Sequence, residues 1–334
     1  MISGRLAVGL ALGSPAEASG WSAFLERALH AEALGLHSVW VPEGHFRRGA
    51  MASPLLALSA VAARTRRVRL GTTSLLLPVH HPLRVAQEVS ALDVLSQGRV
   101  MLGLGRGFAP VLFQAFGVEA HTKRDRFDEA LDAILRAFRG EPMELSGDHF
   151  ATGSGRFVTP TLRPLQRPHP PLLVAAFGKK GLLQAARRGL PYLASPLETL
   201  AILVENHALH RAHLPPGGVR GPFRTPIMRT LHLAADDAEV ARVREQLAAE
   251  SLAAARALPP ALARAAQGPI QERVIVGGES EVAERLLAYQ ERLGMDLLIV
   301  RSELAGLPEA LRRRSLERLC ERVLPALSAA RPPG

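Results

Sequence analysis

The chain has 334 residues, 47% hydrophobic and 22% charged, with a formal net charge of +10. That length holds two average domains, or one α/β barrel of about 250 residues with insertions, and no run approaches the ~20 apolar residues that cross a bilayer. The lone cysteine, Cys320, excludes an internal disulfide framework and a cysteine metal cluster, and makes a reducing cytoplasm the expected compartment.

The positive charge forms no nucleic-acid stripe. Only Lys123, Lys179 and Lys180 are lysines, the arginines are scattered along helical faces, and aromatics at 4% are too scarce for base-stacking platforms. Neither nucleic acid nor a membrane is an expected partner.

Short β-like runs alternate with helical periodicity along the chain. Arg5–Leu12, apolar with only Arg5 as a basic flank, reads as a buried first strand rather than a leader. A helix follows over Trp21–Leu34, closed by Gly35, and then a strand over Ser38–Val41 and a polar turn, Pro42–His45. Pro54–Arg64 is helical, and Val68–Leu77 reads as one strand stopped by Pro78. Pro82 sits where a helix tolerates it, at the start of Leu83–Ser96. Strand Val100–Gly105 runs into the glycine-rich turn Gly103–Gly107, and Arg124–Phe138 is a strongly periodic helix. Gly140–Pro171, rich in Gly, Pro, Thr and His, has no helical period and reads as an insertion with room for a hairpin.

Regularity resumes with strand Leu172–Ala176, helix Gly181–Gly189, strand Tyr192–Ser195 and helix Pro196–His210. Strand Ile227–Leu233 and helix Asp237–Glu250 precede a second insertion at about 253–272. Helix Glu281–Leu293, strand Asp296–Arg301 and helix Pro308–Leu327 close the chain. Eight strands, each with its helix, favour a single (β/α)8 TIM barrel over residues 1–334 rather than an open sheet.

A barrel places its chemistry at the C-terminal ends of its strands. Glu43 and His45 follow the second strand, and His80 and His81 the third. In Gly103–Gly107, glycines allow close backbone approach and Arg106 offers a fork for phosphate. The turn also reads as a mere tight corner, and a full GxGxxG is absent. Ala176, Phe177, Gly178, Lys179, Lys180 and Gly181 open a helix, so free N–H groups and the dipole favour an anion there, with a solvated loop as the plain alternative. Val276–Ser280 competes, because barrels often bind phosphate after their last strands. Neither an HExxH pattern nor a GxSxG elbow occurs, so no metal and no serine triad is expected.

These residues resemble a known family. SVWVPEGHF (Ser38–Phe46) is similar to the SVWxxEHHF segment of luciferase-like flavin monooxygenases, and Leu70–Gly107 resembles the same family nearly position by position. Its marks there are HP-R-A-E, LD, S-GR and the glycine–arginine turn. Pro171–Ser195, Val276–Leu286 and Gly294–Arg301 fit further blocks. The resemblance implies a barrel that binds reduced FMN, with Arg106, its neighbours Gly105 and Gly107, and the loop Gly178–Gly181 holding the phosphate. It also implies that Thr73 and Ser74 form a cis peptide beside the flavin ring, and that the protein is a homodimer packed through the helices after strands two and three. In the monooxygenases a partner reductase supplies the flavin, O2 forms a C4a-peroxide, and a small organic substrate is oxidised. Relatives using the deazaflavin coenzyme transfer hydride instead. The family's first histidine of EHHF is replaced here by Gly44, so His45, His80 and His81 become the candidate substitutes, and a flavin-binding protein without turnover is a third reading.

Overall fold

In a computed structural model, which describes residues 6–15, 20–255, 262–263, 266, 268–304 and 306–329, the alternating pattern becomes parallel strands linked by helices, the (β/α)8 barrel repeat. Contacts divide the chain into two units, one of Gly13–Glu32 and Ser38–Ala175, the other of Met1–Leu12, Ala33–His37 and Ala176–Gly334.

The first unit is built on β2 (Ser38–Val41), β3 (Arg69–Thr72), β5 (Val100–Gly105) and β6 (Leu172–Ala176), paired in that order and parallel, with β4 (Leu75–Leu76) also on β5. Every residue of β5 is buried, as its apolar run requires. Trp40 packs on Gly71 so closely that a Cβ there would fall 2.2 Å from its ring, which is why glycine stands in mid-strand. The helices of this unit are α1 (Gly20–Ala33), α2 (Pro54–Arg64), α3 (Pro82–Leu95), α4 (Pro110–Ala115) and α5 (Lys123–Arg139). In α5 the buried residues Phe127, Ala130, Leu131, Ile134 and Phe138 recur at helical spacing, and Gly140 ends it at φ +71°.

The second unit pairs β1 (Ala7–Ala11) with β10 (Leu297–Arg301), β10 with the first half of β8 (Pro226–Leu233), and β8 with β7 (Tyr192–Ala194), all parallel. Its helices include α6 (Lys179–Arg187), α7 (Leu200–Ala212), α8 (Asp237–Ala255) and α9 (Glu279–Leu293).

Several expectations are corrected. Val68–Leu77 is not one strand: a cis peptide at Thr73–Ser74 separates β3 from β4, and Leu77–Val79 is a 3-10 turn. The helix expected from Pro196 begins at Leu200, because Thr199 caps it by accepting from Ile202 N. The turn Val276–Ser280 is the end of an unforeseen strand, β9 (Val274–Gly277), which pairs with the second half of β8, followed at once by α9. The Gly140–Pro171 insertion carries antiparallel bridges at Met143–Val158 and Ser146–Ala151. Residues 256–261, 264–265 and 267 of the second insertion lie outside the described residues.

Candidate functional site

Glu43 stands just after β2 with its carboxylate buried, and the loop after β3 brings His80 to it. Oε1 accepts from His45 Nε2 at 2.6 Å and from His80 Nε2 at 2.8 Å, while Oε2 accepts from Leu76 N at 2.7 Å. Burial pulls Glu43 towards the neutral form, but the hydrogen bonds from His80, His45 and Leu76 outweigh it and hold the pKa below the ordinary 4.5. Burial likewise pulls His80 down, and the Glu43 carboxylate overcomes it, so His80 titrates above 6.5. With both Nε2–H groups on the carboxylate, the second ring nitrogen of each neutral histidine is a proton acceptor. The ring of His45 is walled by Phe116 (5.1 Å, edge-on) and Phe46 (5.7 Å), and both phenylalanines are partly exposed.

His81 is not part of this cluster. It is exposed, caps α3 and sets its ring edge-on to Phe150 at 5.8 Å. The HP-R-A-E mark is accordingly a helix start, with Pro82 at its first position and an Arg84–Glu88 pair at 2.5 Å. Among the described residues no group of three or more His, Cys, Asp or Glu is placed to hold a metal ion.

The second cluster lies at the end of β5. A Cβ on Gly105 would fall 2.0 Å from Ser74 Oγ, so the glycine leaves room for that hydroxyl; the Thr73–Ser74 peptide is cis. Arg106 donates from Nη2 to Ala175 O at 3.2 Å and lies 5.9 Å from the centre of the Phe127 ring. Burial, and then the neighbouring Arg124, push its pKa down to about 10 against a partial offset from Asp128. Lys123 is lowered by burial, Arg124 and Arg106. Two partly dehydrated cations, Arg106 and Lys123, thus stand close to each other and to the exposed Arg124, with Asp128 as a partial counter-charge, an arrangement that favours a bound anion. Gly107 turns the chain at φ +70°, where a Cβ would also meet Leu112. Sequence reasoning missed Lys123 and Arg124. The available signal was rarity, since Lys123 is one of three lysines.

In the other unit, Gly178 caps α6 in extended backbone with nothing within 4 Å of a built Cβ, and its carbonyl accepts from Gly181 N at 2.8 Å and Leu182 N at 3.1 Å. Ala176 and Gly181 are buried, Phe177 is half-buried, and Lys179 and Lys180 are exposed. The competing turn opens on a cavity of about 330 Å³ lined by Asp236, Asp237, Glu279 and Arg318. Arg318 already pairs with Glu279 at 2.9 Å, and the carboxylates make the cavity a poor phosphate site.

Comparison with known proteins agrees with this geometry. Residues 2–296 match the family model for luciferase-like monooxygenases. The uncharacterized protein y4vJ of Sinorhizobium fredii is 27% identical over 91% of this chain and 90% of its own length. The oxygenase component of the flavin-dependent trigonelline monooxygenase of Acinetobacter baylyi is 30% identical over 49% of this chain and 45% of its own. The chain spans about half the length of several other curated relatives it matches. Among solved structures, the monooxygenase RslO1 of Streptomyces bottropensis superposes with a TM-score of 0.81 at 26% identity, covering 96% of this chain and 99% of that one. The oxygenating constituent of 3,6-diketocamphane monooxygenase from Pseudomonas putida, in complex with FMN, does so at 0.80 and 20% identity, covering 96% and 98%.

Proposed function

Because this chain belongs to the luciferase-like monooxygenase family, whose members are flavin-dependent enzymes on a (β/α)8 barrel, we propose that it uses reduced FMN and O2 to oxidise a small organic substrate. The observation that carries the reading is the cradle at the end of β5. Ser74 fills the space a Gly105 side chain would take, and beside it Arg106, Lys123 and Arg124 crowd positive charge. The clustered positive charge fits the phosphate of FMN.

When bound, reduced FMN supplies the two electrons that let O2 place one oxygen atom on the substrate and the other in water. The chain's own residues do the rest. Arg106 holds the phosphate, with Lys123 and Arg124 adding to the local field. Glu43 fixes both imidazoles by their Nε2–H groups, and His80 holds a proton on its remaining nitrogen more firmly than a free histidine would. Phe46 and Phe116 keep the His45 side of the site apolar.

We also propose a separate reductase as the source of reduced flavin, in line with the trigonelline enzyme's description as an oxygenase component, and the cytoplasm as the compartment. A homodimer through α2 and α3 is supported by the exposure of Leu56, Val94 and Leu95 on those helices, and light scattering after size exclusion tests it. No helix among the described residues is long and apolar enough to cross a membrane.

The deciding experiment titrates FMN, reduced FMN and coenzyme F420 into the protein and into an Arg106→Ala variant. Tight FMN binding that the substitution weakens is the expected result. Preference for F420 moves the assignment to hydride transfer, and failure to bind either coenzyme overturns the reading.

A further inference from the structure

Position 44 is a glycine whose open side is filled by the chain itself. Gly44 lies between Glu43 and His45, in a loop that folds back on itself. Gly44 N donates to Met51 O at 2.9 Å, and Ala50 N to Arg47 O at 3.1 Å. Phe46 takes φ +57°, a left-handed conformation that bulky residues rarely adopt, and this reverses the chain so that Arg47 returns over Gly44. A Cβ built on Gly44 would stand 3.3 Å from Arg47 Nη2 and 3.5 Å from Nε, so the guanidinium rests against the bare glycine. Any larger residue at position 44 would displace it.

Arg47 is exposed, and among the described residues no carboxylate pairs with it. The nearest acid in sequence, Glu43, has its oxygens taken by His45, His80 and Leu76 N. A guanidinium does not exchange its proton near neutral pH, so acid–base work is not its role. Its planar fork matches a carboxylate bidentately. Next to it in the chain, Phe46 is 58% exposed and packs on Phe116, itself 42% exposed, at 5.6 Å. A cation beside partly exposed aromatic rings and next in the chain to the Glu43 cluster suits a molecule that is apolar at one end and anionic at the other.

We propose that Arg47 is the recognition residue for a carboxylate on the substrate of this enzyme, and that the substrate class is an apolar organic acid. This rests on reading the Glu43–His45–His80 cluster as the reaction site. Gly44 is then a specificity residue as well, because it leaves room for the guanidinium beside that cluster.

The test titrates phenylacetate and octanoate, each against its neutral amide, by calorimetry into the protein with and without FMN. The expected result is at least a tenfold preference for the acids. Arg47→Gln abolishes that preference while FMN affinity and the unfolding midpoint stay unchanged. Gly44→Ala, whose methyl pushes the guanidinium by a few tenths of an ångström, reduces the preference. Equal binding of acid and amide, no binding of either acid, or a preference that survives Arg47→Gln overturns the proposal. The flavin-free titration separates the two readings. An Arg47-dependent preference in a protein that fails to bind FMN defeats the flavin assignment alone, and FMN binding without the preference defeats only the role of Arg47.

Discussion

Glu43 and His80 meet through a 2.8 Å hydrogen bond from Nε2 to Oε1, an oxygen that His45 Nε2 also reaches at 2.6 Å. The two partners lie 37 residues apart in sequence, and their mutual attraction reverses what burial does to each of them. Removing the carboxylate charge therefore leaves burial opposed chiefly by the more distant charge of Glu88, the smallest of the influences on His80. In Glu43→Gln the His80 titration is expected to fall from above 6.5 to below it, as read from its ring proton shifts by NMR. A His80 titration unmoved by the substitution would show that the shift has another source.

The same pair sets a pH window for stability. His80 has a raised folded pKa, so its contribution is complete below the unfolded value of 6.5 and is lost as pH rises through the folded value. Glu43 has a lowered folded pKa, so its contribution is present above 4.5 and is lost as pH falls through the folded value. The stability difference between the native protein and His80→Asn should be greatest between pH 4.5 and 6.5 and smaller at pH 8.5. Urea unfolding at pH 5.5 and 8.5 measures it, and an equal difference at both would contradict the coupling.

Gly105 and Ser74 form a steric pair. A methyl at position 105 would fall 2.0 Å from Ser74 Oγ and 2.9 Å from its Cβ, so Gly105→Ala must displace the serine. Overpacking of this kind costs about 1–3 kcal/mol. Ser74→Gly removes both clashing atoms, so the double variant should recover most of the loss. Denaturant unfolding of the four-member cycle reads that coupling. Simple additivity of the two substitutions would show that the contact is not what requires glycine.

Much of this was legible in the sequence, and what was not has physical reasons. The eight βα units, the Glu43 and His45 positions and the Thr73–Ser74 pair could be read because each rests on local pattern or a contiguous motif. That His80 and not its neighbour His81 reaches Glu43 could not, since it depends on a 3-10 turn at Leu77–Val79 that rotates consecutive side chains apart. The crowding of Lys123 and Arg124 onto Arg106 depends on where α5 packs, and no local spacing encodes it. Arg47 carries little signal in the sequence because the chain is rich in arginine. Its place against the bare glycine at position 44 gives it meaning.

Arg106 should discriminate FMN from riboflavin. Hydrogen bonds to a charged group contribute about 1.5–3 kcal/mol, which is a factor of roughly 10 to 150 in affinity. Arg106→Ala is expected to weaken FMN by that factor while leaving riboflavin little changed, as read by quenching of flavin fluorescence. Equal loss for both flavins would place Arg106 on the ring or in the fold rather than on the phosphate.

The S-GR mark reads as part of the same family signature, yet its arginine does structural work on the opposite side of the chemistry's strand. Arg99 precedes β5, is only 9% exposed, and fans its guanidinium over five acceptors. Nε donates to Ser96 O at 2.7 Å, Nη1 to Thr65 Oγ1 and Val68 O at 2.9 Å each, and Nη2 to Ala62 O and Thr65 O at 3.1 Å each. These oxygens belong to the end of α2 and the turns before β3 and β5, so one side chain closes the carbonyls of three segments. Arg99→Met keeps the apolar length and strands all of the acceptors, at a cost of roughly 3 kcal/mol or more. Arg99→Lys recovers only part of that, because an ammonium cannot reach five oxygens spread in a plane. Urea unfolding should rank the native protein above Arg99→Lys and Arg99→Met lowest, with FMN affinity unchanged in whatever remains folded. A variant that kept its stability and lost flavin would move Arg99 from the frame of the barrel to its site.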